Sequence, residues 1–262
     1  MSDELIICDV AEQIAVITLN RPRALNALSD DLLAALAGTL DRVAADDGVK
    51  AVILRGSGKA FCAGHDLREM QAGRAAEDGG AAYFADLFGR CGAVMQRIPR
   101  MPQPVIAQVH GIATAAGCQL VATCDMAVAA QDARFGVNGV NIGLFCSTPM
   151  VALTRVMPRK QAFEMLTTGA FIDADRARAL GLVNRVAAPA DLDAAAMDLA
   201  RSVAAKLGAA VRIGKRAFYE QMDLPLDQAY AFTGDVMARN MMLRDTDEGI
   251  TAFLQKRKPD WA

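Results

Sequence analysis

Paired cysteines are missing from this chain. The six cysteines, at 8, 62, 91, 118, 124 and 146, form no CxxC pair and no regular framework, which removes the usual sequence signs of a zinc site, a dithiol centre or a disulfide scaffold. The expectation is reduced thiols, no bound metal and no prosthetic group. A surplus of either charge is also missing. With 28 basic and 30 acidic side chains the net charge is -2, and the short run Lys256, Arg257, Lys258 does not make a surface for nucleic acid. The first residues, MSDELIICDV, are acidic and lack the basic start of a secretion signal, so the chain reads as cytoplasmic. Internal repeats and low-complexity tracts are absent as well. The longest uncharged stretch, Met101 to Cys124, is interrupted by Pro102, Pro104, Gln108, His110, Gly111, Gly117 and Gln119. That pattern fits a buried strand, turn and helix better than a membrane span.

What is present is enough chain, 262 residues, to bury a substantial core without staples. Apolar runs with β-branched residues at Leu5 to Val10, Ile14 to Leu19, Val49 to Leu54, Val105 to Val109 and Met126 to Ala129 alternate with helical patterns, which predicts an α/β core. Ser29 before Asp30 and Asp31 predicts a helix start, with an amphipathic helix over Leu32 to Val43. Beyond Pro189 the periodicity is helical: Leu192 to Leu207, Ala209 to Met222, Leu226 to Met242 and a last helix from about Thr246, with Asp245 and Glu248 spaced as a capping box. The small, polar run Gly73 to Gly80 predicts a mobile loop.

Two segments carry the chemistry. KAFCAGHDLREM (Lys59 to Met70) and HGIATAAGCQL (His110 to Leu120) each place a small-residue turn just before a helical stretch. Two backbone N–H groups from such turns can converge on one oxygen, which is an oxyanion hole in outline. Taken singly, each segment is equally the pattern of a tight turn and a close helix contact. Asp66 and Glu69 have capping-box spacing, which gives them a structural role. The His65 imidazole starts at the cleft and titrates near neutral pH, or else it turns to solvent. His110, at a strand end before Gly111, reads as structural.

Both segments resemble the crotonase superfamily, the enoyl-CoA hydratase/isomerase family, whose motifs run roughly AGxDxxEM and GGGCEL. RPRALNAL (Arg21 to Leu28), CDMAVAAQDARFG (Cys124 to Gly136), TTGAFIDADRARALGLVNRV (Thr167 to Val186) and EGITAFLQKRKP (Glu248 to Pro259) fit the same family in order. GHDL, ATAAGCQL and VNIGLFCSTP are most similar to its enoyl-CoA hydratase domain-containing protein 3 branch. The resemblance implies an α/β fold with a ββα spiral core over residues 1–189 and a helical trimerisation region over 190–262. It further implies self-association as a homotrimer or dimer of trimers, and an acyl-CoA thioester as substrate. By the same resemblance the N–H groups of His65 and Ala116 are the oxyanion donors. Backbone groups of Ala63, His65, Asp66, Leu67 and Arg68 cradle coenzyme A, the other direction in which the His65 imidazole could turn; Arg23 lies near its phosphates, and Phe253 and Lys256 are tail residues that touch it.

The departures from the pattern bear on the reaction. Family hydratases hold and activate water with two glutamates, one in GGGCEL and one in an FGxPE block; here those positions are Gln119 and Gly139. Glutamine accepts no proton at neutral pH and glycine has no side chain. Asn138, Asn141 and Cys146 lie nearby in sequence, and none is a good general base. The expectation is therefore an acyl-CoA enzyme, by family a hydratase/isomerase, with weak or absent hydration. One alternative is a malonyl-type acyl-CoA decarboxylase, implied by the shared AGHD and VNxG stretches, although LFCS lacks the tyrosine that follows VNxG there. The other is a catalytically silent acyl-CoA-binding protein.

Overall fold

The computed structural model describes residues 4–261. In chain order its elements are β1 (Ile6–Ala11), β2 (Ile14–Leu19), α1 (Asp30–Ala44), β3 (Ala51–Gly56), α2 (Leu67–Gly73), α3 (Ala81–Arg100), β4 (Val105–Val109), β5 (Ile112–Thr114), α4 (Ala116–Thr123), β6 (Met126–Ala130) and β7 (Arg134–Gly136). They continue with α5 (Ser147–Val156), α6 (Arg159–Thr168), β8 (Ile172–Asp173), α7 (Ala174–Ala179), β9 (Arg185–Ala187), α8 (Leu192–Ala204), α9 (Gly208–Gln221), α10 (Leu226–Met241) and α11 (Arg244–Leu254).

A six-stranded sheet in the order β1-β2-β3-β4-β6-β9 forms the spine, antiparallel only between β1 and β2. A small sheet, β5-β7-β8, stands apart from it. Because side chains alternate along a strand, the large sheet has two apolar faces. Ile17, Leu19, Val52 and Leu54 join the core shared with α1 and α3, while Ile14, Ile53, Ile106 and Val128 pack against Leu192, Ala196 and Leu199 of α8. Thus α8 belongs to the sheet by packing although it lies beyond residue 189, and the helices that leave the sheet begin with α9.

The join to α9 is polar. Lys215 is buried and donates to the carbonyls of Ile98 and Gln103, both at 2.8 Å, and to the Asp125 carboxylate at 2.7 Å. Tyr219 donates to the other Asp125 oxygen at 2.8 Å. Burial pulls the lysine pKa down while Asp125 holds it up. Further out, α10 and α11 leave Leu226, Tyr230, Met237, Met241 and Phe253 exposed.

Two caps behave differently from expectation. Ser29 caps α1 by accepting from the Leu32 N–H at 3.2 Å, as the sequence predicts. Asp245 does not cap α11: the helix begins two residues earlier, at Arg244, Leu243 occupies the cap position, and Asp245 pairs with Arg244 in the first turn. Glu248 instead clasps Arg257 at 2.6 Å and accepts the Asp260 N–H at 2.7 Å, which folds the tail back along the helix. These contacts hold the Glu248 carboxyl down at about 2, the Arg257 hydrogen bond contributing most.

Candidate active site

The two motif segments leave the C-terminal ends of the neighbouring parallel strands β3 and β4 and remain paired beyond them. Phe61 N–H donates to the His110 carbonyl and Cys62 N–H to the Ile112 carbonyl, both at 3.1 Å, and Thr114 N–H returns to the Cys62 carbonyl at 3.0 Å. This short ladder fixes the register in which the chain enters the turns. Just past it, Gly64 has φ +90° and lies so close to the second turn that a Cβ there would sit 3.0 Å from Ala115 Cβ and 3.5 Å from the Ala116 nitrogen. Gly117 seals the approach from the other side, because any Cβ on it would strike the Cys62 carbonyl.

Ala115 adopts φ 50°, ψ -119°, a conformation unusual for a residue with a Cβ. It turns the chain so that α4 opens at Ala116. The first N–H groups of a helix have no partner within it. Among the described residues neither the Ala116 N–H nor the His65 N–H meets an acceptor, whereas their neighbours do: Ala115 N–H donates to Gly136, and Asp66 N–H to Leu28. Two unused donors therefore stand on adjoining turns, one of them at the positive end of a helix.

The comparisons with known proteins agree with one another. The sequence pattern of the enoyl-CoA hydratase/isomerase family matches residues 9–262. The chain belongs to this family. Human enoyl-CoA hydratase domain-containing protein 3, mitochondrial, is 46% identical over 246 residues, covering 94% of this chain and 80% of that protein. The crystal structure of an enoyl-CoA hydratase from Mycobacterium smegmatis is 53% identical, with a TM-score of 0.95 over 99% of each chain. A crotonyl-CoA hydratase of Syntrophomonas wolfei is 37% identical over 267 residues, covering 100% of this chain and 99% of its own length. The human relative is named as mitochondrial, where the sequence reading is cytoplasmic. Among the described residues no helix is long and apolar enough to cross a membrane.

Within this family frame the remaining residues take their places. Gln119 is buried on α4, four residues after the strained Ala115, and its Oε1 is sealed from solvent with no hydrogen-bond partner. Gln119 stands three residues after Ala116 on the same helix, so the two share a face of α4. Gly139 sits in the turn Asn138–Ile142 with no room for a side chain: a Cβ would strike the Leu144 carbonyl and come within 2.9 Å of Cys146 Sγ. The obstacle is space and not the sign of φ, which lies outside the left-handed region. Burial pushes the Cys146 thiol pKa up and that of Cys118 up to about 12, so both are packing residues. Asn138 accepts a hydrogen bond from Thr114 at 2.5 Å and so ties the 138–142 turn to β5.

Asp66 caps α2, accepting from the Arg68 N–H at 3.0 Å, but Glu69 does not complete the box. It reaches across to the Asp30 N–H at 2.8 Å and ties α2 to the start of α1. Burial raises the Asp66 pKa, and hydrogen bonds from Arg21 and Arg68 outweigh it, leaving the carboxyl below its ordinary range. Arg21, which donates to Asp66 at 3.0 Å and to the Ala27 carbonyl at 2.6 Å, was not singled out by sequence reasoning. Nor was Asn26, fully buried at φ 54°, whose amide holds the Ser57 and Ala60 carbonyls and fixes the loop before the first turn. The RPRALNAL block contains both residues, and an asparagine amid apolar neighbours is the one local signal for the second.

Arg23 is exposed in the turn Pro22–Ala24, which abuts the first motif through the Ala63 N–H to Leu25 carbonyl bond of 3.0 Å. Leu67 and Arg68 are exposed at the start of α2. Phe253 and Lys256 are exposed on and just after α11, which packs chiefly on α10, so within one chain they stand apart from the two turns. His110, by contrast, is structural in the expected way, its Nε2 lying 3.0 Å from the Gly58 carbonyl.

His65 is not turned to solvent. Both ring nitrogens are sealed and lack hydrogen-bond partners, and the ring stands edge-on to Phe88, 5.6 Å between centroids at 77°. Burial lowers its pKa; the Leu28 carbonyl, near but outside hydrogen-bond geometry, and Asp30 oppose this, and Arg90 reinforces it.

Proposed function

We propose that this family member binds acyl-CoA thioesters and polarises the thioester carbonyl between the N–H groups of His65 and Ala116. The observation that carries the reading is the contact of Gly64 with Ala115 and Ala116, which brings two unused donors onto adjoining turns. Such donors oppose the negative charge that an enolate places on the carbonyl oxygen, at roughly 3 kcal/mol per donor. Coenzyme A lies along the backbone of Ala63, His65, Asp66, Leu67 and Arg68, with Arg23 toward its phosphates. Phe253 and Lys256 reach it from the helical arm of a neighbouring subunit in a homotrimer or a dimer of trimers. The exposed apolar residues of α10 and α11 support such an assembly. The six free thiols suit a reducing compartment, with the cytoplasm as the proposed location.

Hydration of enoyl-CoA is expected to be slow, because Gln119 cannot take a proton from water and Gly139 has no carboxylate. A second reading follows from that same lack of a base. In a malonyl-type thioester the bond between the α-carbon and the carboxylate breaks, carbon dioxide leaves, and the bonding electron pair passes to the thioester as an enolate. A solvent proton then restores the α-carbon, so the protein need supply only the two donors. The catalytically silent acyl-CoA binder is the third reading.

A substrate panel separates the three. Purified protein is given crotonyl-CoA, malonyl-CoA and methylmalonyl-CoA, with CoA binding measured in parallel on the protein and on Lys256→Ala. Turnover of crotonyl-CoA in the usual enzyme range of about 1 to 1,000 per second would overturn the slow-hydration reading. Carbon dioxide release selects the decarboxylase, and binding without turnover selects the silent protein.

A further inference from the structure

The surroundings of His65 are more than packing. Leu28 straps the backbone on both sides of it, its N–H donating to the Gly64 carbonyl at 2.7 Å and its carbonyl accepting from the Asp66 N–H at 3.2 Å. With the main chain clamped and the ring wedged against Phe88, itself stacked on Phe84 at 6.5 Å, the imidazole and the residue-65 N–H are seated as one unit. The charges that act on the ring are Asp30 on α1 and Arg90 on α3, and the same two, with Glu69 on α2, act on Tyr83 of α3. Arg90 pairs with Asp30 at 2.7 Å and with Asp86 at 2.6 Å. The Tyr83 hydroxyl, like the His65 ring, is sealed without a hydrogen-bond partner.

A neutral imidazole brings one N–H donor into this pocket without a partner; an imidazolium brings two and a charge, which burial penalises further. The carboxylate whose charge acts on it is Asp30, which Arg90 already holds.

We propose that His65 is a positioning residue: neutral, its imidazole seats the backbone N–H that meets the thioester oxygen; protonated, it draws Asp30 from Arg90 and unseats that donor. The inference rests on the acyl-CoA reading above. It adds an acid switch on carbonyl recognition, built from Asp30, His65 and Arg90.

The test compares affinities for butyryl-CoA and for S-butyl-CoA, the thioether with the same chain and no carbonyl oxygen, from pH 5 to 8. Thermal unfolding is followed at each pH. The preference for the thioester should fall as pH drops below the ordinary histidine value, approaching tenfold per pH unit, while the fold persists. Phosphate titration on the ligand is common to both compounds and cancels in the ratio. His65→Gln keeps the backbone donor and cannot titrate, so its preference should not change with pH. Arg90→Gln frees Asp30 for the imidazolium and should move the acid limb to higher pH; Asp30→Asn should move it to lower pH. Opposite shifts are a result that mere packing does not produce. A pH-independent preference in the unsubstituted protein, an acid limb that survives in His65→Gln, or shifts of the same sign in the two ionic variants would each overturn the switch. A preference of one at every pH overturns the carbonyl-binding reading itself.

Discussion

Gly64→Ala is the most direct probe of the two turns. At φ +90° an L-residue costs about 1–2 kcal/mol more than glycine. The added methyl would also sit 3.0 Å from Ala115 Cβ and 3.1 Å from the Thr114 carbonyl, and tight insertions of this kind cost about 1–3 kcal/mol. Together the loss is about 2–5 kcal/mol, a large part of a typical stability of about 5–15 kcal/mol. Neither contact can yield cheaply, because Thr114 is held in β5 and Ala115 is fixed by its bond to Gly136. Relief comes only by pushing the Ala116 N–H away from His65. The variant should therefore lose both stability, measured by urea unfolding, and the preference for butyryl-CoA over S-butyl-CoA. A stability loss below about 1 kcal/mol together with an intact preference would refute the argument that these turns are in forced contact.

Lys215→Met removes one member of a buried pair and leaves Asp125 with an uncompensated charge beneath α9, so it should cost about 3–5 kcal/mol in urea unfolding; a loss below about 1 kcal/mol would show that the pair is not what fastens α9. Ala115→Gly should remove backbone strain of about 1–3 kcal/mol at a glycine entropy cost of about 0.5–1 kcal/mol, giving a net gain near 1 kcal/mol; a destabilised variant would mean that φ 50° is not strained there.

Much of the fold is legible in the sequence where a period repeats. β2 and β4 begin and end at the expected residues, because each is a mostly apolar, β-branched run closed by residues that break the pattern, Gln13 and Asn20 for β2 and Pro104 and His110 for β4. β5, β7 and β8 have two or three residues each and show no period, and their strand state comes from pairing with one another. The capping signals divide for a similar reason. Ser29 works alone and locally, whereas Asp66 and Glu69 have capping-box spacing but Glu69 finds the Asp30 N–H nearer than the residue it was expected to serve. In the candidate site the two turns are visible because small residues are conspicuous. The enclosure of the His65 ring is not, since it depends on Phe88, which lies on α3 beyond α2 and the 74–80 segment.

Gln119 and Gly139 look alike in sequence as losses of a carboxylate, but the structure makes them unequal. Gln119→Glu is nearly isosteric and places an acid where Oε1 now lacks a partner. Gly139→Glu must first displace the Leu144 carbonyl, which itself accepts no substitute position without opening the 138–142 turn, whose Leu144 N–H bonds back to the Gly139 carbonyl at 3.0 Å. Restoring both glutamates therefore tests folding before it tests chemistry, and an inactive double variant says nothing about the mechanism. Gln119→Glu alone leaves the turn untouched. Water activated by one carboxylate would then give measurable hydration of crotonyl-CoA, and a variant that folds, binds butyryl-CoA and still hydrates nothing would place the decisive loss at the closed Gly139 turn.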